Sequence, residues 1–239
     1  MRHIGFSTGA VAGGDFSSAL ALLAAYPEID CIELSALRLH EVDPLVRAIP
    51  KLDLGRYIYI SFHAPSFFTA DEEAHLVETL ERAVPKAWPI VLHPDAIHDA
   101  ARWRALGNRV AIENMDRRKS GGRTAHELRS SFELLPDARF CFDLGHARQC
   151  DTSMTESYRI LEAYGPRLAQ LHVSEVNSAS QHDPITYATK LGFQSVAHLI
   201  PPQVPLIIES RVSPGEISKE IDAVLESLPL LTETARLLA

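Results

Sequence analysis

Val110-Ala-Ile-Glu113 is a short apolar run closed by a carboxylate, and the same construction returns at Phe140-Cys-Phe-Asp143 and Leu206-Ile-Ile-Glu209. Brief apolar runs of this kind, bounded by turn formers, read as strands buried on both faces, as in parallel sheets. Asp and Glu are almost never fully buried unless paired or bound to metal, so three carboxylates closing three buried strands need a common explanation. Parallel strands supply one. They deliver their C-terminal ends to one face, where residues distant in sequence meet around one pocket.

Working outward, similar runs occur at residues 3–7, 31–35, 57–63, 90–93, 110–113, 140–143, 170–173 and 206–209. Between them, residues 16–26, 72–84, 125–134, 156–164, 187–199 and 216–225 carry apolar side chains three or four apart, the spacing of amphipathic helices. Capping boxes mark helix starts at Thr69/Glu72, Thr124/Glu127, Ser153/Glu156 and Ser213/Glu216, the last reinforced by Pro214. Eight strand–helix units of about 30 residues match an α/β fold of the (β/α)8 TIM-barrel type, one domain over residues 1–239. An open doubly wound sheet ranks second, because Thr8-Gly-Ala-Val-Ala-Gly-Gly after the first strand lacks the G-x-G-x-x-G spacing of a dinucleotide site.

The composition, 46% hydrophobic and 23% charged, suits a large core. A net charge of −8 gives no electrostatic footprint for nucleic acid, which therefore ranks behind a small-molecule substrate. No apolar stretch approaches the ~20 residues needed to cross a bilayer. Three cysteines without a C-x-x-C pair, and an opening that runs straight into a strand, lead us to expect a reduced, cytoplasmic setting.

Three histidines also close strands, His63, His93 and His172, and His146 follows Asp143 by three residues. With 31 acidic residues and 11 histidines in the chain, one such residue at a strand end proves little. The burial of Glu113, Asp143 and Glu209 after apolar runs is stronger. Three carboxylates on one barrel face would repel each other unless a cation compensates, and a divalent metal ion does so economically. His3, His40, His75, His98, His126 and His198 fall at strand starts or in helices and are expected to be solvated or structural.

At these residues the chain resembles the xylose-isomerase-like TIM-barrel superfamily, which groups sugar isomerases and epimerases with endonuclease IV-type apurinic endonucleases. The likeness rests on Ser61-Phe-His-Ala-Pro-Ser66, Val91-Leu-His-Pro94, Ala111-Ile-Glu-Asn114, Cys141-Phe-Asp-Leu-Gly-His-Ala147, Leu171-His-Val-Ser174 and Ile207-Ile-Glu-Ser210, in the family's order from third to eighth strand. In the isomerase branch it implies one divalent ion held by Glu113, Asp143, His172 and Glu209. In the endonuclease branch it implies further zinc ions on His63, His93, His146 and His182. Ser180 stands where that branch has an aspartate two residues before the last histidine, with Asp183 following, which puts a complete third site in question.

Three functions follow as expectations, ranked in this order. The first is isomerisation or epimerisation of a small sugar or polyol: Glu113 and Glu209 exchange the proton beside a polarised carbonyl, while His146, Arg211 and Asn114 meet the substrate. The second is phosphodiester hydrolysis with two or three ions, for which Asp116-Arg-Arg-Lys119 is the one candidate backbone grip, a charge run otherwise read as a solvated face. The third is a barrel that binds metal and metabolite without turnover. The mixed oxygen and nitrogen donors suit Zn or Mn, with Mg as a further option.

Overall fold

The structure, a computed structural model, describes residues 2–230. In chain order its strands are β1 (Ile4–Ser7), β2 (Cys31–Ser35), β3 (Tyr59–His63), β4 (Ile90–Leu92), β5 (Val110–Glu113), β6 (Arg139–Asp143), β7 (Leu168–Val173), the two-residue β8 (Glu175–Val176) and β9 (His182–Asp183), and β10 (Leu206–Ile208). β8 and β9 pair as a small antiparallel ribbon. The other eight are all parallel and close into a barrel in which β10 lies between β7 and β1. The expected (β/α)8 barrel is therefore what forms, and the open sheet is excluded.

Alternation along the strands sorts the side chains. Phe6, Ile32, Leu34, Phe62, Ile112, Phe140, Phe142, Leu171, Val173 and Ile208 join one large apolar cluster with the surrounding helices, and each such side chain, fully buried, contributes about 1.5–3 kcal/mol. The intervening residues face the axis. Val91, Ala111 and Cys141 form a separate small cluster there with Ala169, and Glu33, Ser61 and Gln170 hydrogen-bond across the interior. The barrel is thus apolar on its outer face and increasingly polar inside.

The helices are α1 (Thr8–Ala12), α2 (Phe16–Leu23), α3 (Leu39–Ala48), α4 (Ala70–Ala83), α5 (Ala100–Arg104), α6 (Ala125–Leu134), α7 (Leu144–Cys150), α8 (Thr155–Tyr164), α9 (Tyr187–Val196) and α10 (Ile217–Ser227). The capping boxes at Thr69/Glu72 and Ser213/Glu216 form. The other two are corrected. Thr124 does accept from the Glu127 N–H, but the Glu127 carboxylate is taken by Arg123, whose Nη2 lies 2.6 Å from Oε1. At α8 the capping residue is Met154, in a left-handed conformation, and Asp151 rather than Ser153 accepts from the Glu156 N–H at 2.9 Å. None of the described helices is long and apolar enough to cross a membrane.

Candidate metal centre

Every strand-end ligand named from the sequence reaches the same end of the barrel. His63 and Glu113 are the last residues of β3 and β5, Asp143 ends β6, and His93 and Glu209 directly follow β4 and β10. His172 is the penultimate residue of β7, and His182 is carried in on β9. Asp143 fills two roles with its two oxygens. Oδ1 caps α7 by accepting from the His146 N–H at 2.7 Å, and Oδ2 is buried without a hydrogen bond. The turn between these residues needs Gly145, because a Cβ there would stand 2.6 Å from the Ser174 carbonyl oxygen and 2.7 Å from Val176 Cγ2.

Glu113 sits at the centre, and its two oxygens face different partners. Oε2 lies 3.2 Å from His63 Nε2 and 3.1 Å from His93 Nε2. Oε1 lies 3.1 Å from His172 Nδ1, which is itself 3.4 Å from Glu209 Oε2. Three donor sets lie at the strand ends: His63, His93 and Glu113; Glu113, Asp143, His172 and Glu209; and Asp143, His146 and His182; a fourth, Glu33, His63, His172 and Glu209, reaches into the barrel. Within each, the candidate ligand atoms lie within 4.8 Å of one another.

The donor chemistry fits cations. Ligands bound tetrahedrally at about 2.0–2.1 Å stand about 3.3 Å from each other, near the 3.1–3.4 Å of the His63–Glu113, His93–Glu113, His172–Glu113, His172–Glu209 and His146–Asp143 pairs. His63 Nδ1–H donates to its neighbour's carbonyl, Ala64 O, at 2.7 Å, so a neutral His63 turns the lone pair of Nε2 toward a carboxylate oxygen. His146 likewise uses Nδ1 on Asn114 O at 2.9 Å. A lone pair facing a carboxylate requires a proton or a cation between them, and a backbone bond on the other ring nitrogen is how metal-binding histidines are oriented.

The electrostatics point the same way. Burial pushes Glu209 up to about 8 and Asp143 up to about 6, with Glu113 adding to both. At Glu113 burial is outweighed by His172 and His93, which hold its carboxyl well below the usual range. Burial lowers His93, His146 and His182, the last to about 4. At His63 burial is overcome by Glu113 and Glu33, raising the imidazole to about 9. Glu209 and Asp143 retaining protons, with His63 and His172 raised by the anionic groups around them against their burial, mark a site short of positive charge, which a divalent ion supplies.

A cavity of about 430 Å³ opens above this cluster, and His63, His93, Glu113, His146, His182 and Glu209 reach it, as does Arg211. Asp143 and His172 lie beneath, fully buried. Asn114, expected at the substrate, does not line the cavity: its buried amide donates to Asp143 O and accepts from Asp143 N, both at 2.8 Å. Asp116 is a second correction. The charge run it begins is solvated at Arg117 and Arg118, as expected, but Asp116 itself is buried, and Arg118 and Lys119 border the cavity. Ser180 Oγ donates to Asp116 Oδ1 at 3.0 Å, and Arg118 occupies the rest of that carboxylate, so the third donor set contains only Asp143, His146 and His182. Asp183 instead accepts from Asn177 on the ribbon.

One buried carboxylate in the barrel was not anticipated. Glu33, in the middle of β2, is fully buried and lies 3.1 Å from His172 Nε2. A charged residue inside Ile32-Glu33-Leu34 carries the same signal as the strand-end carboxylates.

No family model matches the chain, and no curated protein matches it. Solved structures do. Endonuclease IV from Thermus thermophilus superposes with a TM-score of 0.60 at 15% identity, over 95% of this chain and 99% of the other. A xylose isomerase-like TIM-barrel protein from Mycobacterium smegmatis, in complex with magnesium, gives 0.57 at 11% identity over 96% and 98%. The 3-keto-D-glucoside 4-epimerase of E. coli gives 0.54 at 12% identity over 95% and 99%. The chain shares the (β/α)8 barrel fold of these structures. At these identities the likeness is one of architecture, and barrels of this kind carry their sites at the C-terminal ends of the strands, where the cluster around Glu113 lies.

Proposed function

We propose that this protein is a metal-dependent hydrolase of phosphate esters in which two or three divalent ions would be held around Glu113, a member of two of the donor sets. The observation that carries this reading is the division of Glu113, whose Oε2 faces His63 and His93 while Oε1 faces His172. Sequence alone ranks isomerisation first, and the convergence of His63 and His93 on Glu113 reverses that order. Adjacent bound ions would supply Lewis acidity and neutralise charge developing on a transferred phosphoryl group. His63 and His93 would hold one ion, Asp143, His172 and Glu209 the next, and histidine-rich donors lean toward zinc.

The chain's own cations suit the same substrate. Arg118, Lys119 and Arg211 line the cavity. Arg118 is fixed by Asp116 and Lys119 by Asp95, whose Oδ2 lies 2.7 Å from its Nζ, so both are presented in set positions to phosphate oxygens. The cavity has room for one ester group and its nearest substituents, which favours a small molecule over a nucleic acid duplex.

Mass-spectrometric metal analysis after reconstitution with zinc or manganese, paired with hydrolysis of bis(p-nitrophenyl) phosphate, tests the proposal. Two or three ions per chain with metal-dependent cleavage is expected, and one ion per chain without cleavage would sink it.

The sugar or polyol isomerase stands as a second reading, supported by the set Glu113, Asp143, His172 and Glu209, which is a complete single-ion site with two glutamates. There Glu113 and Glu209 would pass the proton, and His146 and Arg211, both at the cavity, would orient hydroxyls. One ion per chain together with solvent-deuterium incorporation into a ketose would favour it.

A further inference from the structure

Below the ligand cluster the barrel interior does not become apolar. Glu33 extends from β2 across the axis to β7, where its Oε2 meets Gln170 Nε2 at 2.6 Å and His172 Nε2 at 3.1 Å, and Ser61 Oγ donates to the same oxygen at 3.1 Å. Glu33 is fully buried, and its Oε1 has no hydrogen bond. An ionised carboxylate in such a place costs several kcal/mol unless its contacts compensate. Gln170 is itself held, since Tyr59 Oη donates to its Oε1 at 2.9 Å, and this sets its amide nitrogen between Glu33 Oε2 and His172 Nε2, 2.6 and 2.9 Å away. The position of Glu33 is therefore set by residues of β3 and β7 that take no part in the three donor sets.

His172 is the group this arrangement serves. Its Nδ1 faces Glu113 Oε1 and Glu209 Oε2, and its Nε2 faces Glu33. A neutral imidazole carries one N–H and one lone pair. Two groups meet Nε2, the Glu33 carboxylate at 3.1 Å and the Gln170 amide nitrogen at 2.9 Å. A hydrogen bond to the ionised acceptor outweighs one from the neutral amide, which is already committed to Glu33, so the form with the hydrogen on Nε2 is selected and the Nδ1 lone pair is directed at the ion site. We propose that Glu33 is a positioning residue: it fixes the ring orientation and tautomer of His172 from beneath, completing a carboxylate–histidine–metal triad. The proposal rests on the reading of the cluster as a metal centre, though it does not depend on the number of ions. Partners of this kind typically alter metal affinity about 10- to 100-fold when removed.

The competing role is direct ligation, because Glu33 also falls within ligand distance of His63, His172 and Glu209. Zinc titration and metal content of wild type and Glu33→Gln separate the two. In the positioning role, Glu33→Gln weakens zinc binding about 10- to 100-fold and leaves the number of ions unchanged. The His172 Nε2–H proton, seen at low field in the zinc-loaded, 15N-histidine-labelled wild type, moves upfield or disappears in the variant. An unchanged affinity and an unchanged proton resonance would overturn the proposal, and so would the loss of one ion from the stoichiometry.

If the variant fails to fold, the wild type alone still decides: ring correlations that place the hydrogen on Nδ1 and zinc on Nε2 of His172 would overturn it. One zinc per wild-type chain would remove the hydrolase reading and leave this proposal standing. No zinc at all would remove both.

Discussion

The side chain of Asn114 grips the backbone of Asp143 from both sides, donating to its carbonyl and accepting from its N–H at 2.8 Å each. This clasp fixes the ends of β5 and β6 together, and with them the spacing of Glu113 and Asp143. Asn114→Ala would leave the Asp143 N–H buried without its partner and remove one of the bonds to its carbonyl, which also caps α7, a loss of about 1–3 kcal/mol. Chemical denaturation should show that destabilisation together with weaker metal binding, while the KM of any assigned substrate stays within twofold. A raised KM at wild-type stability would instead return Asn114 to the substrate.

The divided environment of Glu113 makes stoichiometry specific to individual residues. His63→Ala and His93→Ala should each remove one ion per chain and leave the ion of Asp143, His172 and Glu209 in place. Loss of one Lewis acid is worth several kcal/mol in the transition state, so phosphoester cleavage should fall by about 100-fold or more. Metal analysis of the purified variants checks the first statement and steady-state kinetics the second. Full ion content in both variants would assign these histidines to the substrate.

How much of this was legible depended on whether burial left a trace in local sequence. Parallel strands buried on both faces appear as apolar runs, so all eight barrel strands and their terminal ligands could be read, most to within two residues. Helix α3 was hidden by Pro44 in its interior, a residue that normally breaks helices, and α1 and α5 are only five residues long. Glu33 lies mid-strand in β2, away from the strand ends where a parallel barrel gathers its ligands, so strand-end position does not point to it. Asp116 could not have been read: its burial follows from the path of the loop after β5 and from Ser180 on the far side of the β8–β9 ribbon, whose two-residue strands have no periodicity. The family resemblance located the donors but could not say how Glu113 shares its oxygens, which is a matter of side-chain geometry.

Gly145 tests how tightly the Asp143–His146 turn is built. An added methyl would meet the Ser174 carbonyl and Val176 at under 3 Å, so Gly145→Ala should destabilise the protein by about 1–3 kcal/mol. It should also displace His146 and weaken the third donor set selectively. Gly165→Ala, where the methyl would meet nothing within 4 Å, is the control. Thermal denaturation and zinc titration of the pair suffice, and equal behaviour of the two variants would show that the turn has slack.

The final prediction concerns pH, and its sign follows from which groups the fold prefers protonated. In the metal-free protein, burial raises Glu209 to about 8 and Asp143 to about 6, both above the ~4 of an unfolded chain. Stability from these groups is full below about pH 4 and is lost as pH rises through 6 and then 8. His63, where Glu113 and Glu33 overcome burial, is raised to about 9, so its contribution is full below about pH 6.5 and is lost as pH rises through 9. The lowered imidazoles of His93, His146 and His182 oppose this trend only below about pH 6.5, where the unfolded chain gains their protons. From about pH 6.5 to 9 the metal-free protein should therefore lose stability steadily. Bound ions take the place of the retained protons, so the metal-loaded form should stay level and the gap in Tm between chelator-treated and loaded protein should widen across this range. Calorimetry at three pH values would measure it, and a gap that narrows with rising pH would mean that these carboxyls do not face the ions.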